Sequence, residues 1–162
     1  MKRLAIIIAL LFSALIRVDA QVIPDVKLSD AGGKTVTAVS LADHKTPFVV
    51  SFWMTTCKPC MKELEALTDA VADWEGSFPL RIYAVSVDDS RSLQRAVAMS
   101  RNWEGITPLF DPNGDLRRAL NISAVPQVFV YDKDGKQFYT HIGYRPGDEQ
   151  ELLSQLRKCA GK

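Results

Sequence analysis

The chain has 162 residues, 47% of them hydrophobic, and a formal net charge of +1 from 20 Lys and Arg against 19 Asp and Glu. This balance argues against a broad basic surface of the kind that binds nucleic acids or anionic membranes. No repeat, low-complexity run or linker-like stretch divides the sequence, so we expect one globular domain.

Residues 1–20 have the pattern of an export signal. Two basic residues precede an apolar block over residues 4–16, and small or aliphatic residues allow cleavage after Ala20. The block is shorter than the roughly 20 apolar residues that span a membrane. We therefore expect a periplasmic domain over residues 21–162. An uncleaved N-terminal membrane anchor facing the periplasm is the alternative.

Strand-like and helix-like segments alternate along the rest of the chain. Gly32-Gly33 suits a tight hairpin turn, the continuous apolar run FVVSFW suits a strand buried on both faces, and Ser90 suits a helix cap. The pattern predicts an α/β fold, a central mixed sheet flanked by helices. In chain order we predict a hairpin over residues 26–30 and 35–41, a strand over 48–53, a helix over 57–76, a strand over 80–87, a helix over 90–103, a short helix over 115–122, a second hairpin over 127–132 and 136–144, and a helix over 148–159.

Two of the three cysteines form a Cys-x-x-Cys pair where the buried strand gives way to a helix. Cys57 falls at the helix start, where free N–H groups and the helix dipole stabilise a thiolate. Pro59 is tolerated in the first turn, and Lys58 adds a nearby cation. We expect Cys57 to attack a disulfide and the more shielded Cys60 to resolve the product. Cys159 is the odd cysteine, expected to be a partly buried thiol without a functional role.

A metal site is less well supported than redox chemistry. Structural zinc needs four ligands, and the sequence adds only His44 and His141, far apart and on polar stretches. Met54, Met61 and His141 are a thin basis for copper transfer. A purely structural disulfide closing so small a loop removes little entropy from the unfolded chain. We expect no metal and no organic cofactor.

Peroxide reduction by a cysteine on a similar fold is the other alternative. Such enzymes carry a Pro-x-x-x-Thr-x-x-Cys run that ends on the attacking cysteine. Counting back from Cys57, the threonine position holds Met54 and the proline position holds Val50. Both marker residues are absent, so we set this alternative aside.

The segments FWMTTCKPC and FDPNGDLRRALNISAVPQVFVYDKDGK resemble the exported thioredoxin-like proteins of the TlpA/ResA kind, over about Val22 to Lys158. The resemblance implies a thioredoxin-like fold with an N-terminal β-hairpin and an inserted strand–helix unit over residues 80–103. It also implies a thiol-disulfide oxidoreductase, more specifically a reductase of protein disulfides acting through a mixed disulfide. A membrane-bound thiol-disulfide electron donor would keep it reduced, and we expect a monomer.

The resemblance further implies roles for residues outside the cysteine pair. Val125 and Pro126 match a cis peptide beside the disulfide, where the residue before proline pairs with the substrate backbone. Glu63 matches a carboxylate that moves protons near the sulfurs, with an ordinary solvated glutamate as the alternative. Trp53 and Thr56 are further candidates for substrate binding.

Several positions depart from the family pattern. Thr56 replaces the usual tryptophan before the first cysteine, Ser51 replaces the buried aspartate of cytosolic thioredoxins, and Glu65 replaces a helix-kinking proline. The stretch SAVPQV lacks the residues that mark the cytochrome c maturation members, so a role in that pathway is only one possibility. From the residues alone, a redox-inactive or metal-handling binding module that docks partners on its Val125–Pro126 face remains the alternative function.

Overall fold

The computed structural model describes residues 21–76 and 79–161. The predicted export signal and its cleavage position at Ala20 lie outside this part of the chain. Within the described residues, no helix combines the length and apolarity needed to cross a membrane.

The described residues form seven strands, four α-helices and one 3-10 helix. Their order follows the predicted alternation, with one additional strand. The strands are β1 (Lys27–Asp30), β2 (Thr35–Thr37), β3 (Phe48–Trp53), β4 (Arg81–Ser86), β5 (Ile106–Phe110), β6 (Gln127–Tyr131) and β7 (Gln137–Ile142). The α-helices are α1 (Lys58–Glu75), α2 (Leu93–Ser100), α3 (Asp115–Ala119) and α4 (Asp148–Ala160), and the 3-10 helix is Ala38–Leu41.

All seven strands join one mixed sheet in the order β2-β1-β5-β4-β3-β6-β7. The apolar strand β3 is interior: it pairs in parallel with β4 and antiparallel with β6. All six of its residues are buried, as expected for a strand covered on both faces. The predicted N-terminal hairpin, β1 with β2, extends the sheet through β5. Strand β4 and helix α2 lie within residues 80–103, where the inserted strand–helix unit is predicted.

Helices cover both faces of the sheet because the strands bury side chains on both. On one face, Val49 of β3 belongs to a cluster with Leu64 of α1 and Leu156 of α4. On the other face, Phe48 belongs to a cluster with Leu116 of α3. The predicted fold class, a thioredoxin-like α/β fold with a central mixed sheet flanked by helices, is confirmed.

Strand β5 was missed by the sequence analysis because Pro108 lies in its middle. Proline cannot donate to a strand ladder and is therefore confined to edges and irregular positions of a sheet. β5 meets this condition, since β1 pairs only with Leu109 and Phe110 and leaves that side of Pro108 unpaired. The sheet consequently has one more strand than the sequence predicted.

Two predicted element ends were also wrong. Helix α2 begins at Leu93 rather than at Ser90, and its N-cap Ser92 makes no side-chain cap bond. The Asp89 carboxylate instead accepts backbone N–H bonds from Arg91 and Ser92. The second strand of the first hairpin ends at Thr37, because the chain there turns into the 3-10 helix.

Candidate active site

Cys57 and Cys60 are joined by a disulfide at the start of α1, with 5.3 Å between their Cα atoms. The Cys57 carbonyl accepts the N–H of Met61 at 3.2 Å, so Cys57 is the N-cap of the helix. Its Sγ accepts the N–H of Cys60, also at 3.2 Å. When the disulfide opens, that N–H and the helix dipole both stabilise a Cys57 thiolate.

The two sulfurs differ in access. Cys60 is fully buried, while Cys57 is half-buried between the exposed residues Thr56 and Lys58. An incoming sulfur can therefore reach Cys57 but not Cys60. This difference in access fits the predicted roles, in which Cys57 attacks and Cys60 resolves, and those roles stay predictions.

Asp88, which the sequence analysis did not single out, anchors the loop before Cys57. Its carboxylate accepts hydrogen bonds from the N–H of Thr55 at 2.8 Å, from the Thr55 hydroxyl at 2.8 Å and from the Ser86 hydroxyl at 2.9 Å. The loop then turns so that the Cys57 N–H reaches the Met54 carbonyl at 3.0 Å. The loop that carries Cys57 is therefore held by hydrogen bonds at the end of β4 as well as by its covalent connection to β3.

Val125 and Pro126 lie directly beside the disulfide. The peptide bond between them is cis, as the resemblance implied, and the Val125 carbonyl oxygen lies 3.6 Å from Cys57 Sγ. A Cys57 thiol can donate to that oxygen, whereas the disulfide cannot. The Pro126 carbonyl is occupied by the N–H of Gly143, at 2.8 Å.

Glu63 is buried, with 4% of its surface exposed, and follows Cys60 by three positions on α1. The Ser51 hydroxyl donates to its Oε1 at 2.6 Å. Burial raises the pKa of Glu63 from 4.5 to about 7, the Ser51 bond opposes that increase and the charge of Asp148 adds to it. The side chain can therefore take up or release a proton near neutral pH. Ser51 replaces a buried aspartate, but Glu63 of helix α1 supplies a titratable group beside it.

The expectation that Trp53 binds substrate is wrong for its side chain. Trp53 is fully buried and packs edge-to-face on Trp103, with 4.7 Å between ring centroids. It supports the end of β3 from inside the core. Thr56 is exposed beside Cys57, so it remains a candidate for substrate contact.

The two histidines each lie beside an aspartate, and the third cysteine is buried in the core. His44 pairs with Asp134 at 2.8 Å and His141 with Asp148 at 3.2 Å. Cys159 is 5% exposed near the end of α4. Within residues 21–76 and 79–161, no group of three His, Cys, Asp or Glu side chains is arranged to hold a metal ion.

The seven-stranded sheet and the disulfide at the first turn of α1 define a class, the thioredoxin-like thiol-disulfide oxidoreductases. The chain belongs to the AhpC/TSA family, whose sequence profile matches residues 20–137. Its similarity to proteins of the TlpA/ResA kind is also confirmed, by the relatives described next.

A thioredoxin-like protein from Porphyromonas gingivalis with a known solution structure is 40% identical, with a TM-score of 0.73, over 88% of this chain and 93% of that one. The thiol:disulfide interchange protein DsbE of Yersinia pestis is 29% identical over 131 residues, which are 80% of this chain and 66% of the relative. The thiol-disulfide oxidoreductase ResA of Bacillus thuringiensis is 24% identical over 136 residues, 83% of this chain and 75% of the relative. The chain therefore spans just under two thirds of the Yersinia protein.

Proposed function

We propose that this protein is an exported reductase of protein disulfides. The observation that carries the proposal is the unequal access of the two sulfurs: Cys57 is half-buried beside the Val125 carbonyl, while Cys60 is fully buried behind it. A sulfur of an extended substrate segment can approach Cys57 while the substrate backbone lies along Val125. Thr56 is the exposed neighbour that such a segment would meet first.

The reaction proceeds by two exchanges. The Cys57 thiolate attacks one sulfur of the substrate disulfide, forms a mixed disulfide and releases the other substrate sulfur as a thiolate. Cys60 then gives its proton to Glu63 and attacks the Cys57 sulfur, which releases the second substrate thiolate. Both substrate thiolates take up protons, and the chain is left with the Cys57–Cys60 disulfide.

The reducing direction is what the resemblance of the cysteine motif and the Val125–Pro126 segment to proteins of the TlpA/ResA kind implies. It requires a second thiol-disulfide protein to return two electrons to the Cys57–Cys60 pair after each cycle. A membrane-bound donor fits an exported domain, since the periplasm is kept oxidising. Cleavage after Ala20 would release the domain from the membrane, and a mature protein that begins at Gln21 by mass spectrometry supports this part of the proposal.

Insulin reduction with dithiothreitol tests the activity. The wild type and Cys159→Ser should both accelerate insulin precipitation, because Cys159 lies outside the pair, and Cys57→Ser should be inactive. The reduction potential tests the direction: we expect a value close to that of thioredoxin, about −270 mV, and a value near −120 mV would contradict a reductase. No turnover, together with tight stoichiometric metal binding that Cys57→Ser loses, would support the binding module instead.

Trapping identifies the substrate and the electron donor. In Cys60→Ser, the mixed disulfide on Cys57 cannot be resolved, so partners should accumulate as covalent adducts in the producing cell. Non-reducing gels and mass spectrometry then identify them, with the double variant Cys57→Ser/Cys60→Ser as the control. Adducts no more abundant than in that control would argue against a dedicated protein substrate.

A further inference from the structure

A cleft that is open to solvent leads to Glu63. Its walls come from α1, the β6–β7 hairpin and the first turns of α4. Besides Glu63, the titratable groups that line it are Tyr139, His141, Tyr144, Asp148, Glu149 and Glu151. On its β3 side, the Glu63 carboxyl accepts a hydrogen bond from the neutral Ser51 hydroxyl.

Exposure increases along this cleft from its inner end outward. Glu63 is 4% exposed, whereas the side chains of Asp148 and His141 are 32% and 40% exposed. His141 Nε2 and Asp148 Oδ2 lie 3.2 Å apart. The pair therefore stands where solvent enters the cleft, and Asp148 is close enough to act on the charge of Glu63.

Three other polar side chains of the cleft, Tyr144, Glu149 and Glu151, already make hydrogen bonds. The Tyr144 hydroxyl donates to Glu149 Oε2 at 3.2 Å, and the same oxygen accepts the Gly147 N–H at 3.0 Å. Glu151 Oε1 accepts from the Gln155 amide at 2.6 Å. Histidine, in contrast, is the side-chain type that most readily exchanges protons between pH 5 and 8.

We propose that this cleft is the path by which protons pass between solvent and Glu63, with His141 as the group that carries the proton and Asp148 as the residue that positions it. The proposal rests on the role given to Glu63 in the proposed function. When Cys60 attacks, its proton moves to Glu63, then through the cleft to His141 Nε2 and out to solvent. When the disulfide is reduced, the proton travels inward and ends on the Cys60 sulfur. Neither transfer changes an oxidation state.

The test follows reduction of the Cys57–Cys60 disulfide by dithiothreitol, with the remaining disulfide measured by acid quench and alkylation from pH 5.5 to 8.5. Dithiothreitol attacks the accessible Cys57, so Cys60 leaves as a thiolate and needs a proton. His141→Gln should slow this step about tenfold at pH 7, less than the roughly 100-fold or more that a group acting directly on the reacting atom contributes, because His141 acts through Glu63. Added imidazole should restore the rate, since it can enter the solvent-facing end of the cleft. Asp148→Asn should slow the reaction less and move its pH midpoint downward.

His44→Gln is the matched control, because His44 also pairs with an aspartate, Asp134, but lies away from the cleft. Its rate should equal that of the wild type. In a Glu63→Gln background, His141→Gln should have no further effect, since both residues serve one proton path. Wild-type rates in His141→Gln across the pH range would overturn the proposal. So would a slow rate that imidazole does not restore, or an equal slowing in the Glu63→Gln background.

The same measurements separate this proposal from the proposed function. If the wild type reacts with dithiothreitol but does not reduce insulin, the reductase assignment is wrong. The proton path would then still be supported by the rescue of His141→Gln with imidazole. A wild type that reduces insulin while His141→Gln behaves normally removes the proton path alone.

Discussion

Replacing Glu63 by glutamine should make the oxidised protein more stable at neutral pH and change little at pH 4. Glutamine keeps the shape of the side chain and an oxygen that can accept the Ser51 hydrogen bond, but it carries no charge. The wild-type carboxyl is buried, and burial is the main reason that its pKa is raised from 4.5 to about 7. The variant isolates what that burial costs.

The sign and size follow from proton linkage. Below pH 4.5 both the folded and the unfolded chain hold the Glu63 proton, so the carboxyl adds no pH dependence. Between about pH 4.5 and 7 the unfolded chain has released the proton while the folded protein keeps it, so wild-type stability falls as the pH rises. Above pH 7 the loss is complete and amounts to about 3 kcal/mol, at 1.36 kcal/mol for each unit between the two pKa values.

Urea denaturation of the oxidised protein between pH 4 and 8.5 measures this difference. With a urea dependence of about 2 kcal/mol per molar, the midpoint of Glu63→Gln should exceed that of the wild type by about 1.5 M at pH 8. Glu65→Gln is the control, because Glu65 is exposed on the same helix, and it should follow the wild type. Parallel pH profiles for Glu63→Gln and the wild type would refute the claim that Glu63 is protonated near neutral pH.

Two further substitutions test the framework of the site. Asp88→Ala should destabilise the protein by about 2–4 kcal/mol, since it leaves the N–H and hydroxyl of Thr55 and the hydroxyl of Ser86 without their acceptor; it should also change the reduction potential, and an unchanged potential would show that the loop does not set the Cys57 position. Gly105→Ala should cost at least about 1–2 kcal/mol in urea denaturation, because Gly105 has φ +76° and an added Cβ would lie 2.6 Å from Val71 Cγ1; wild-type stability there would mean that α1 can shift to make room.

The parts of the fold that the sequence predicts are those with a strong local pattern. The apolar run of β3 and the three-to-four-residue period after Cys57 each determine an element by themselves. The turn at Gly33, with φ +82°, is equally local. The sequence does not predict β5, because Pro108 argues against a strand. The proline is tolerated only because the neighbouring strand β1 is too short to pair with it, and the local sequence does not show how long β1 is.

The sequence predicts the parts of the site that a local motif defines, but not the contacts between residues that are distant in the sequence. The cysteine spacing was sufficient to assign the redox pair. Asp88 holds Thr55 from 33 positions away, and nothing in the residues around either one indicates that contact. The hydrogen bond between Ser51 and Glu63 joins residues 12 positions apart, and the local sequence around neither residue indicates it.

Val125 packs against the hydrophobic clusters on both faces of the sheet, while its carbonyl faces Cys57. The backbone segment along which a substrate would align is therefore positioned by the hydrophobic clusters on both faces of the sheet. Damage to either cluster, even far from the sulfurs, should weaken recognition before it impairs the chemistry. Such variants would show a higher KM while the reduction potential of the cysteines stays the same, so the interior itself acts as a determinant of affinity.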